Sequence, residues 1–201
     1  LQKARAAAFA DPKTDVKSKV NIDSQLLQAY LKANDSASAS RIQAEISQID
    51  PGNTTTKRLI GNQDLAAGNA ASRAGNHQEA LNDFLKAVQD GDTGVQVTGY
   101  ASAALEENDL LNKIQSTTAN DYITKMKPYA DKALALNPND PLANFALGVA
   151  MTGAWIVGGK TRADYKTQAV AALNKAKAAA QAQGNIALSL NIDNFLKQNI
   201  K

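Results

Sequence analysis

Apolar residues recur along the chain at helical spacing, three and four apart, and almost nowhere in the strict alternation that marks a strand. Leu26, Leu27, Tyr30 and Leu31 form one such stripe, predicting a helix over 24–33. Ala39, Ile42, Ile46 and Ile49 form the next over 37–49, ended by Asp50-Pro51-Gly52-Asn53. An alanine-rich segment predicts a helix over 62–74, stopped at Gly75-Asn76, and Ala80, Leu81, Phe84, Leu85 and Val88 mark another over 77–89. Small residues predict a helix over 94–105, followed by a less regular stretch over 106–120. The next helix, 121–136, contains Pro128 and is expected to kink or restart there. After Asn137-Pro138-Asn139-Asp140-Pro141 come the most apolar helix, 142–157, an alanine-rich helix over 164–183, and a last helix over 186–199. Residues 1–10 also read as helical, but carry little apolar surface. The fold class is therefore all-α, built from helix pairs joined by short turns. One such pair cannot bury both of its faces, so successive pairs are expected to stack.

The segment from Leu65 to Val88 sharpens this expectation. Gly68 stands where a first helix would pack closely on a second, and Gly75 where the first helix closes. Ala80 follows Gly68 by twelve residues, with Phe84 and Ala87 at the next two inward steps. This pattern resembles the tetratricopeptide repeat (TPR) family across one full helix pair. Degenerate matches surround it: Tyr30, Ala39, Ile46 and Pro51; Ala133 and Pro138 within Lys132–Asp140; and Gly148 with Ala169, Leu173 and Ala176. The resemblance implies a TPR-like α-solenoid of three to four degenerate repeats. Its pairs lie near 24–51, 62–90, 94–138 and 142–183, with 186–199 as a C-terminal capping helix. Residues 1–23 are then an N-terminal helical extension to a repeat domain spanning 24–201. Residues 106–120 and 158–163 read as insertions.

Composition removes most chemistries. With no cysteine there is no disulfide, thiolate metal site or cysteine nucleophile, and one histidine excludes any site needing two imidazoles. The net charge is +3, from 22 basic residues interleaved with 19 acidic ones, so no basic stripe for nucleic acid is expected. The longest mainly apolar run, Phe145–Val157, has about 13 residues, where a membrane span needs about 20. His77 reads as a polar residue at a helix start, without a serine or carboxylate constellation around it. Glu106, Glu107 and Asp109 read as a solvated acidic helix end that lacks the ligand alternation of a calcium loop. Gly158-Gly159-Lys160-Thr161 falls short of a phosphate loop, because Gly153 is one residue too far upstream and no strand precedes it. Trp155 is expected in the core or beneath the 158–163 loop. No metal, cofactor or catalytic residue is predicted.

In TPR proteins the first helices of the pairs line a concave groove that accepts a peptide or partner segment. Carried over by spacing, the resemblance implies that Asn62, Leu65, Asn69, Ser72 and Arg73 line it in the first full pair. Gln96 and Tyr100 would line it in the next, and Phe145, Val149 and Thr152 in the last. The basic clamp that some members use for a terminal carboxylate is not reproduced beyond Asn69 and Arg73. The expected function is thus a non-enzymatic protein- or peptide-binding scaffold. The alternative is a structural or assembly subunit of an envelope complex, acting through self-association or its convex face; a homo-oligomer is compatible with either. A chain that opens on Leu1, lacks cysteine and is rich in amides is expected to be periplasmic or secreted, with the cytoplasm as the alternative.

Overall fold

The computed structural model describes residues 1–33 and 35–200; the final residue of the expected repeat domain, Lys201, lies outside them. Every regular element among the described residues is helical. In chain order these are α1 (Gln2–Ala10), α2 (Val16–Lys32), α3 (Ser36–Ile49), α4 (Thr54–Arg73), α5 (His77–Asp90), α6 (Thr93–Lys113) and the single turn α7 (Ala119–Asp121). A π-helical turn, Tyr122–Met126, leads directly into α8 (Lys127–Leu136), followed by α9 (Pro141–Val157), α10 (Ala163–Ala182) and α11 (Ile186–Asn199).

Several helix starts differ from the periodicity reading, each for a local reason. α2 begins at Val16, eight residues earlier than expected, because Asp15 caps it and accepts the Ser18 N–H. Its early stripe is disguised by buried polar residues: Asp23 and Ser24 continue the inward face begun by Val20. The expected boundary at residue 24 therefore falls inside a helix. α4 likewise begins at Thr54, capped by the Asn53 side chain, although three threonines in a row favour a helix poorly. Residues 106–120 are not irregular throughout. α6 runs unbroken to Lys113, and Leu111 is fully buried near its end. At Pro128 the helix changes type: a π turn, Tyr122–Met126, gives way to α8, which starts at Lys127 with Pro128 in its first turn, where a proline loses no helical hydrogen bond.

Consecutive helices pack against one another, most extensively α4 on α5, α5 on α6 and α9 on α10. In addition α4 touches α6, α6 touches α9, and α9 touches α11, so contacts also run between helices that are not consecutive. The core is a row of small clusters at successive junctions. Two crossings use the same device. A Cβ on Gly68 would lie 2.7 Å from the Phe84 ring, and one on Gly148 would lie 2.5 Å from Leu173, so glycine sets how closely α4 approaches α5 and α9 approaches α10. Gly75 adopts a left-handed φ of 77°, which lets the chain reverse tightly after α4: the Gly75 N–H bonds Ser72 O and the Asn76 N–H bonds Ala71 O.

The α2–α3 pair joins the rest through α2 and α4, where the buried hydroxyls of Ser24 and Thr56 approach to 3.5 Å. α1 buries no residue of its own. It is held by Arg5, which donates to fully buried Asp23 at 2.6 Å, donates to Glu45, and stacks over Phe9.

Candidate binding groove

A hollow of about 310 Å³ lies between α6, α9 and α11. Its floor is apolar: Val149, Ile156 and Val157 from α9 and Phe195 from α11. Phe195 is fixed by an edge-to-face contact with Phe145, ring centres 5.7 Å apart and planes at 83°. Its polar lining consists of amides and hydroxyls. Asn108 and Asn112 project from α6, Gln115 and Ser116 from the turn after it, Thr152 from α9 and Asn199 from α11. Among the described residues, no charged side chain lines it. Tyr122 closes one wall, pressed so tightly on α9 that a Cβ on Gly153 would lie 2.3 Å from its ring. Burial pushes the Tyr122 phenol above its ordinary pKa, so it stays neutral. The Ser116 hydroxyl donates to Asp121, which together with Thr118 and Lys125 holds that carboxyl below the usual range and pins the turn.

A shallower hollow of about 250 Å³ lies between α4 and α6, lined by Asn62, Leu65, Val95 and Thr98 with Arg58 paired to Asp92 at its edge. A larger cavity, about 550 Å³, lies elsewhere, where α2 meets the start of α4, and is lined by residues such as Lys17, Asn21, Ser24 and Thr55. None of the expected groove residues lines it, and nothing in the periodicity points to it.

The structure distributes the expected groove residues unevenly. Val149 and Thr152 line the first hollow, and Phe145 supports its floor. Asn62 and Leu65 line the second; Asn69, Ser72 and Arg73 continue the same face of α4 beyond it, with Asn69 and Arg73 exposed. Gln96 and Tyr100 are turned away. Each is two residues from Thr98, about 200° around α6. Gln96 donates to Gly91 O, and Tyr100 packs against the cluster of Ala101, Ala133 and Ala143, beneath the Lys132 ammonium. The residues that α6 does present, Thr98, Asn108 and Asn112, were not distinguished in the sequence, because a helix of mostly small residues carries no marked inward stripe. Trp155 is buried beneath the 158–163 loop, with Lys160 and Lys166 over its ring.

One expectation is corrected. His77 does have carboxylates around it. Its Nδ1 lies 2.9 Å from Glu106 Oε2 and 3.9 Å from Asp109 Oδ2. Residues nearly 30 apart meet because α5 and α6 run back along one another, which places the start of α5 beside the last third of α6. Glu106 is buried, while Asp109 is half exposed; burial, and then the neighbouring Glu106 charge, push the Asp109 carboxyl above its usual pKa.

No protein-family model matches the chain. No curated protein matches it either.

Proposed function

We propose that the chain is a TPR-like α-solenoid that binds, without catalysis, an uncharged extended segment of a partner protein. The binding place is the hollow between α6, α9 and α11. The observation that carries this reading is the hollow's chemistry: an apolar floor ringed by neutral amides and hydroxyls. Such a surface covers apolar side chains while Asn and Gln satisfy the backbone of an extended peptide, which otherwise loses its hydrogen bonds to water. Three features of the fold support the repeat interpretation: the recurring glycine crossings at Gly68 and Gly148, the contacts among α4, α6 and α9, and α11 laid over the last pair. Selection of peptides from a random displayed library, followed by titration of the enriched sequences, tests it. Binding should fall about tenfold or more in Ile156→Asp and in Asn112→Ala, with the helical circular dichroism unchanged. Absence of enrichment, or affinity unchanged from the wild type in both variants, refutes it.

A second reading, self-association within an envelope assembly, is favoured by one observation. Ile186 and Leu190 stand one turn apart on the outer face of α11 and are 72% and 57% exposed. Light scattering on the wild type and on Leu190→Lys decides it: a concentration-dependent oligomer lost in the variant supports it, and a monomer throughout refutes it. No helix among the described residues is long and apolar enough to cross a membrane. A periplasmic or secreted location is part of the same proposal, and cell fractionation checks it against the cytoplasm.

A further inference from the structure

We propose that His77 Nδ1, Glu106 Oε2 and Asp109 Oδ2 form a three-ligand site for a divalent transition-metal ion of the zinc class. The three atoms come from two helices and lie within 4.8 Å of one another, between the start of α5 and the last third of α6. Donor pairs around a tetrahedral zinc are about 3.3 Å apart, given metal–ligand bonds of about 2.0–2.2 Å. The two separations from Nδ1, 2.9 and 3.9 Å, bracket that value, and the third lies within 4.8 Å. Side-chain shifts of roughly an ångström complete three coordination positions, and the half-exposed Asp109 side leaves the fourth open to water.

Charge points the same way. Two carboxylates face one imidazole, so the cluster stays net negative even when the histidine is protonated. Among the described residues, no lysine or arginine pairs with Glu106 or Asp109. The fold compensates its other strongly buried carboxylates, Asp23 and Asp64, with Arg5 and Lys86. Among the described residues, buried Glu106 pairs with the imidazole alone. A divalent cation supplies the missing positive charge, and the imidazole then carries its proton on Nε2. The donor set also selects the ion. One nitrogen and two oxygens suit zinc, cobalt or nickel, whereas calcium and magnesium need six or more oxygen ligands. Bound there, the ion ties the α4–α5 turn to α6, across the crossing that the fold otherwise holds by small-residue packing.

Untagged protein, stripped with a chelator and titrated with Zn²⁺ in a calorimeter, tests the site. The expected result is one ion per chain, a raised thermal midpoint, and visible d–d absorption of tetrahedral character when Co²⁺ replaces Zn²⁺. His77→Gln and Asp109→Asn alter partly exposed side chains and should each weaken binding about tenfold or more. Glu79→Gln, in the same first turn of α5 but outside the cluster, should leave binding unchanged. Should one ligand variant lose its helical circular dichroism, the other decides. Absence of saturable Zn²⁺ binding, stoichiometric binding that survives both ligand variants, or binding of Ca²⁺ without Zn²⁺ overturns the proposal.

Discussion

Replacing glycine by alanine at two helical positions should change stability in opposite directions. At Gly68 the added methyl would lie 2.7 and 2.8 Å from two carbons of the Phe84 ring. Carbon atoms rest at about 3.5–4.0 Å, so the ring or α4 must yield by nearly an ångström. Phe84 is only 2% exposed, enclosed by the α4–α5–α6 core. Overpacking of this kind costs about 1–3 kcal/mol, and the helix propensity gained on replacing glycine returns about 1 kcal/mol. The net expectation is a loss of about 1 kcal/mol. Gly94, in the exposed first turn of α6, provides the contrast: its added methyl meets only Asp92 Oδ1, at an ordinary 3.5 Å. There the propensity gain stands nearly alone, about 0.5 kcal/mol for a terminal turn. Thermal unfolding followed at 222 nm measures both variants, and for a chain of this length about 1 kcal/mol moves the midpoint by roughly 3 °C. Gly68→Ala should lower the midpoint and Gly94→Ala should raise it. If Gly68→Ala raises it, the α4–α5 crossing is looser than described and glycine there does not set the approach of the helices.

Other consequences follow from polar groups. Arg5→Met leaves the buried Asp23 carboxylate without its cation, at a cost of about 2–3 kcal/mol to the first helix pair. Hydrogen exchange should then become fast across 2–10, with 141–157 unchanged; slow exchange in α1 would show that something else holds it. Asn144, 3% exposed, donates to Pro138 O at 3.0 Å and to Asp140 O at 2.8 Å, bracing the turn before α9. Asn144→Leu removes both side-chain bonds and should cost about 1–3 kcal/mol by urea unfolding. The Ser18 backbone N–H, then its hydroxyl, hold the Asp15 carboxyl below its ordinary pKa, and the Ser38 side chain and backbone N–H do the same for Asp35. Both folded values are lowered, so the stabilisation is present above the ordinary carboxylate range and is lost as pH falls through the folded values. Asparagine caps a helix without titrating. The stability difference between wild type and Asp15→Asn or Asp35→Asn should therefore shrink from pH 6 to pH 2, and a constant difference would contradict the assignment.

Helical periodicity located most of the helices because it depends on nearest neighbours along the chain. Where Ile42 and Ile46 or Leu81 and Phe84 alternate with polar residues, burial of one face follows directly. The turn signals worked for the same reason: Gly75 and Asp140 act on backbone atoms within three residues of themselves. Periodicity weakens where a buried position is polar. Asp23, Thr56 and Glu106 interrupt the apolar stripe, so the first turns of α2 and α4 fall outside the stripes that mark those helices, and the last turns of α6 read as irregular.

The candidate sites divide along the same line. Leu65, Val149 and Thr152 could be placed on a helix face from spacing alone. Gln96 and Tyr100 could not, since a two-residue difference in register on α6 turns a side chain to the opposite face and no apolar stripe fixes the phase. The meeting of His77 with Glu106 and Asp109 is a further step removed. It depends on the lengths of α5 and α6 and on their antiparallel crossing, which bring together groups with no relation in the sequence. By itself, then, the sequence determined the all-helical class, the turns and most helix positions, because these are set by local propensity and one-sided burial. Only the tertiary structure decided which faces meet, which hollow carries the neutral amides, and which charges lie together, because those are relations between residues that the chain keeps far apart.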